Sequence, residues 1–123
     1  MKKKFRLMKN HDIKRIVDLR ESLGNRNYVV YRKLTTGEGF RAAVSVSKKF
    51  GSAVERNYAR RCVREILRGE IVSLKGTRIV VVVKPPSKDL AFQEKKDQLL
   101  RLLRNVKTPV LNKKTYTKHQ EEK

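Results

Sequence analysis

Apolar positions along this chain fall into blocks whose spacing changes from helical to extended and back. Between His11 and about Arg20, Ile13, Ile16, Val17 and Arg20 share one side of a short predicted helix, with Asn10 placed to cap it. Residues 27–34 (NYVVYRKL) are dense in aromatic and β-branched side chains and predict a strand. In 40–46, Phe40, Ala42, Val44 and Val46 alternate onto one face of a second strand. The segment between them, Thr35-Thr36-Gly37-Glu38-Gly39, predicts a hairpin turn.

Ser52-Ala53-Val54-Glu55 fits a capping box that opens the main helix, and Gly69 sits where that helix would stop. Residues 78–84 (RIVVVVK) form a β-branched run without alternation, as expected of a strand covered on both faces, and Pro85-Pro86 ends it. A last helix from about Asp89 to Lys107 carries Phe92, Leu99, Leu103 and Val106 on one stripe. There is no internal repeat and no linker long enough to separate a second domain. The pattern predicts a single-domain αββαβα sandwich over residues 1–111, its sheet containing a parallel βαβ unit. Residues 112–123 are a polar tail, expected to be disordered.

The main helix differs on its two sides. At about 100° per residue, Arg56, Arg60, Arg64 and Arg68 form one i, i+4 row with Asn57 and Arg61 beside it, the six spanning an arc of roughly 140°. Val54, Ala59, Cys62, Val63 and Ile66 take the other side and can face a sheet. A charge run is most often an ordinary solvated face. On such a face carboxylates one turn away usually offset the cations, and this row contains none. Three successive Arg–Arg pairs each cost about 0.2–0.5 kcal/mol. The planar fork of arginine suits phosphate oxygens, so the row reads as a surface for a nucleic-acid backbone.

Composition agrees. The 123 residues carry a net charge of +20, a field that gathers phosphate. Anionic lipid is the weaker match, since the longest apolar run, Ile79 to Val83, is far short of a membrane span. The start, MKKKFRLMKN, is basic with no apolar stretch behind it and does not read as a secretory signal. Cys62 is the only cysteine, which excludes an internal disulfide and fits a reducing cytoplasm. A soluble cytoplasmic protein is expected.

Residues 45–66, SVSKKFGSAVERNYARRCVREI, closely resemble the signature of the protein subunit of bacterial ribonuclease P. The matching elements are Ser47-Lys48-Lys49, Gly51, Ala53-Val54, Arg56-Asn57, Arg60-Arg61 and Arg64. The resemblance extends to Arg6-Leu7, the Tyr28–Tyr31 strand and the strand at 78–84, and covers about residues 5 to 107. Two departures stand out. Tyr58 follows Arg56-Asn57 where the family has a second arginine, and Ile13 and Val17 stand where its first helix usually offers two phenylalanines.

The resemblance implies a left-handed βαβ crossover, where the general rule alone predicts a right-handed one. It also implies a protein without a catalytic centre of its own. A large RNA subunit would hold the Mg2+ ions that activate water to cut the 5′ leader from precursor tRNA. Lys48, Lys49, Arg56, Asn57, Arg60, Arg61, Arg64 and Arg68 would dock on that RNA. Ile13, Val17, Tyr31, Lys33, Ser45 and Ser47 would line a cleft for the single-stranded leader. From the residues alone, Tyr31 shares a strand face with Val29 and Lys33, either as a stacking platform beside a cation or as a half-buried sheet residue.

The remaining inventory is consistent with a non-catalytic chain. His11 and His119 sit near opposite ends, and no CxxC, HxxxH or DxD spacing occurs. Cys62 on the apolar helix side reads as a small core residue. The competing readings are a structural or ribosomal RNA-binding protein without a processing role, a stand-alone basic nuclease, and a helix-turn-helix DNA reader. The nuclease would need a His or carboxylate constellation, and the reader a helix mixing Gln, Asn and Ser with arginine. No protein partner is evident.

Overall fold

The computed structural model describes residues 10–37 and 39–107. In chain order it contains α1 (Asn10–Asp18), β1 (Ser22–Gly24), β2 (Tyr28–Leu34), β3 (Phe40–Val46), α2 (Ala53–Arg68), β4 (Thr77–Val83) and α3 (Phe92–Leu103). Short 3-10 helices at Lys48–Phe50 and Pro85–Asp89 lead into α2 and out of β4. The expectations for Arg6-Leu7, Glu38 and the tail from residue 112 lie outside the described residues.

The unalternating run of β4 takes the place its composition suits, inside the sheet. The strand order is β1-β2-β4-β3, with β4 antiparallel to β2 and parallel to β3. Ile79, Val80, Val81 and Val83 are all buried. β3, α2 and β4 therefore form the expected parallel βαβ unit. The hairpin expected between β2 and β3 is corrected, because β4 lies between them and they share no ladder. The connection at 35–39 instead passes over the start of β4. Thr35 N–H donates to Gly76 O at 2.8 Å and Gly76 N–H donates to Gly39 O at 2.9 Å. Gly76 holds φ at 82°, a left-handed conformation that a side chain would strain.

The local hairpin is one strand earlier. β1 pairs antiparallel with β2, and Asn25 Oδ1 accepts from the N–H groups of Asn27 and Tyr28 at 2.8 and 2.9 Å to shape the turn. α1 is shorter than expected. Asn10 is its first residue, and Arg20, with φ at 56°, lies beyond its end. α3 is trimmed likewise, residues 85–89 forming the 3-10 turn before it.

α2 packs on β3 and α3 on β2, so both cover one sheet face, while α1 lies against β2 and β4 on the other. The main core gathers Tyr28, Val30, Phe40, Ala42, Ile79 and Val81 from the sheet with Val63, Ile66, Leu67, Leu99 and Leu103 from α2 and α3. Burial pushes the Tyr28 hydroxyl up to about 12. Arg32, on the same face, is also buried. It donates through Nη1 to Val106 O and pairs through Nη2 with Glu21 at 3.6 Å. Among the described residues no helix is long and apolar enough to cross a membrane.

Candidate nucleic-acid interface

The start of α2 is fixed by reciprocal capping. Ser52 Oγ accepts from Glu55 N–H at 3.2 Å, and Glu55 Oε1 accepts from Ser52 N–H at 2.8 Å. A Cβ at Gly51 would collide with the Glu55 carboxylate, so this approach requires glycine there. Lys88 Nζ reaches Glu55 Oε2 at 2.7 Å. That hydrogen bond, followed by the bond from the Ser52 backbone, lowers the Glu55 carboxyl to about 2.

Ala59, Cys62, Val63, Ile66 and Leu67 are the buried residues of α2. Val54, expected among them, is 78% exposed, because it lies roughly 150° round the helix from the middle of that set. On the other side Asn57, Arg61 and Arg68 are exposed and Arg56, Arg60 and Arg64 half-buried. The structure thus brings the six predicted docking residues onto one accessible face. Lys48 and Lys49, both exposed, stand just before it on the turn anchored by buried Phe50. Asn57 Oδ1 accepts from Arg60 Nη1 at 2.9 Å, which holds that guanidinium in a set orientation. Glu65 offers Arg68 a carboxylate at 3.7 Å, an exposed pair of small energetic weight.

Ladder register defines a second surface. Residues sharing the α1 side of the sheet line up in cross-strand rows. Lys33, Arg78 and Arg41 form one row, Tyr31, Val80 and Ala43 the next, and Val29, Val82 and Ser45 the third. Ile16 of α1 is buried on this side, as are Val29 and Val80. Ile13 and Val17, flanking Ile16, are half-buried. Tyr31 and Lys33 are half-buried, and Ser45 and Ser47 exposed. α1 therefore covers the β2–β4 part of this face and leaves the small side chains of β3 beside it. The cation row closes one end, where Arg41 and Arg78 join Thr35, Thr36, Gly37, Gly39 and Phe40 around a depression of about 460 Å³.

Arg41 and Arg78 were not among the candidates read from the sequence. Arg41 could have been placed by parity, since it alternates with Phe40 and Ala42 and so shares a face with Ser45. Arg78 joins Lys33 and Arg41 only once β4 is known to lie between their strands. Among the described residues, no three His, Cys, Asp or Glu side chains are grouped to hold a metal ion.

A protein-family model described as Ribonuclease P matches residues 1–107. The ribonuclease P protein component of Bacillus velezensis is 36% identical over 107 residues, covering 86% of this chain and 92% of that protein. The corresponding protein of Staphylococcus haemolyticus is 36% identical over 114 residues, covering 93% and 98%. Among solved structures, the RNase P protein of Staphylococcus aureus superimposes with a TM-score of 0.77 at 34% identity, over 84% of this chain and 95% of that one. That of Thermotoga maritima gives 0.76 at 31%, over 83% and 97%.

Proposed function

The chain belongs to the ribonuclease P protein family, and from that premise we propose that it works as the protein component of a cytoplasmic ribonucleoprotein endoribonuclease that matures tRNA 5′ ends. In this reading α2 docks on a large catalytic RNA, and the α1-flanked sheet face takes the single-stranded leader of precursor tRNA. The observation that carries it is the guanidinium face of α2, spread over four turns on the side opposite a fully apolar one. Guanidinia at one-turn intervals match phosphate oxygens and offer little that reads base identity.

The second surface suits an unpaired strand. Tyr31 gives a ring for stacking, Ala43 and Ser45 leave room above the sheet, and Lys33, Arg78 and Arg41 supply charge for the backbone. The hydrolytic chemistry is assigned to the RNA, with Mg2+ bound there activating water. The protein contributes affinity and orientation for the precursor.

Reconstitution tests this reading. RNA-free protein should leave precursor tRNA intact, and addition of a bacterial ribonuclease P RNA with Mg2+ should yield removal of the 5′ leader. Site-specific cleavage by the protein alone would refute the assignment of chemistry to the RNA. Failure to bind or stimulate the RNA would favour a structural RNA-binding role instead.

A further inference from the structure

Tyr58 is the position at which this chain leaves the Arg-Asn-Arg pattern. It falls roughly 60° beyond Arg61, at the margin of the arginine arc and outside the buried set. Its side chain is 51% exposed, yet it is held in place. Lys95, itself buried on α3, sets its Nζ 4.9 Å from the ring centroid. The Tyr58 hydroxyl is raised above the usual phenol value, chiefly by Cys62 one turn further along. The ring is thus backed on one face by a buried cation, with about half its surface open to solvent. Val54, one turn earlier and also exposed, extends the apolar edge.

The surroundings narrow what such a ring can meet. A second copy of this chain would bring another +20 charge against Arg61 and Lys95. A nucleobase brings a flat π face together with the phosphates that the adjoining arginines attract. Stacking on a ring backed by an ammonium forms a base–ring–cation sandwich, in which the cation is already desolvated by the protein.

We propose that Tyr58 is a stacking platform for one unpaired base of the RNA docked on α2, adding a base contact to a helix face that otherwise meets only phosphate. The inference rests on the RNA-docking reading of α2 and adds to it a contact of different physical character. Stacking releases no counterions, so its loss lowers affinity at every salt concentration equally, whereas loss of an arginine also flattens the salt dependence.

The test is binding of a full-length bacterial ribonuclease P RNA across a salt series, with folding of each variant checked by far-ultraviolet circular dichroism in sulfate. Tyr58→Ala and Tyr58→Leu should weaken binding roughly five- to a hundredfold with an unchanged log–log slope, and Tyr58→Phe should stay within about twofold of wild type. Chemical probing of the wild-type complex should show one unpaired base that is protected, with protection lost in Tyr58→Leu. Three results would overturn the proposal: Tyr58→Leu binding like wild type while Arg60→Ala binds poorly, a slope change in Tyr58→Leu equal to that of Arg60→Ala, or a Tyr58-dependent dimer of the protein alone in sedimentation. If Arg60→Ala also bound like wild type, the docking reading itself would fall, which is a separate outcome.

Discussion

Lys88 Nζ and Glu55 Oε2 lie 2.7 Å apart, fastening the turn that leaves β4 to the first turn of α2. The same carboxylate caps Ser52 N–H. One acidic side chain therefore sets both where the arginine helix begins and how its start sits against the end of the central strand.

This arrangement makes acid sensitivity the first prediction. The Glu55 carboxyl is lowered from an ordinary 4.5 to about 2 in the folded chain. A depressed carboxyl contributes stability that is complete above about 4.5 and is lost as pH falls toward about 2. Glu55→Gln keeps an acceptor for Ser52 but removes the ion pair. Its melting temperature should fall less steeply than that of wild type between those two values. Parallel melting curves across that window would take Glu55 out of the acid response.

Docking through α2 predicts a set of salt slopes. Each arginine that neutralises one phosphate contributes roughly 0.7–0.9 to the slope of log affinity against log salt. Arg60→Ala and Arg64→Ala should each lose about that much in binding to the catalytic RNA. Asn57→Ala, which frees Arg60 without removing its charge, should lower affinity by about 0.5–1.5 kcal/mol, the worth of an ordinary hydrogen bond, and leave the slope intact. Unchanged slopes in both arginine variants would remove this face from the interface.

Tyr31 separates substrate contact from assembly. One stacked base is worth about 1–3 kcal/mol. Tyr31→Ala should reduce precursor tRNA affinity by roughly five- to a hundredfold, while mature tRNA and the catalytic RNA bind as before. Tyr31→Phe should be nearly silent. Equal losses for precursor and mature tRNA would identify Tyr31 as a support for the fold. Ile13 and Val17 give the cleft no further rings, which favours the lower end of the range.

The charge predicts anion-linked folding. A chain of this size at +20 repels itself, and ligands of the native state alone stabilise it by mass action. The free protein should gain helical circular dichroism as sulfate rises through the millimolar range at constant chloride. A full spectrum that does not change across the titration would count against it.

Features governed by near neighbours were legible in the sequence. The Ser52–Glu55 capping box, the two-sided α2 and the buried β4 run each follow from residues within a few positions of one another. The strand order was not legible, because the Thr35–Gly39 segment has turn chemistry whichever strand comes next. Its ends bond Gly76, a residue far along the chain. β1 escaped notice because Ser22-Leu23-Gly24 is too short to show alternation, and it exists through its register with Val29–Tyr31. Lys95 could not be placed beside Tyr58 until α3 was seen against α2. The arginine face could thus be read from one helix, whereas the cation row on the sheet required three strands in register.

Insertion of β4 between β2 and β3 also orders events during synthesis. When β3 emerges it has no strand to pair with and β2 has only β1, and the stretch from Val46 to Val83 takes roughly 2–7 s to make at bacterial-scale rates of ~5–20 residues per second. Once Arg68 has been added the arginine helix is complete, but the strand that joins β2 to β3 has not been made. A polyanion that meets the nascent chain then finds the guanidinium row before the sheet that orients it. The slot left for β4 makes the last strand the step that turns a basic helix into a shaped surface.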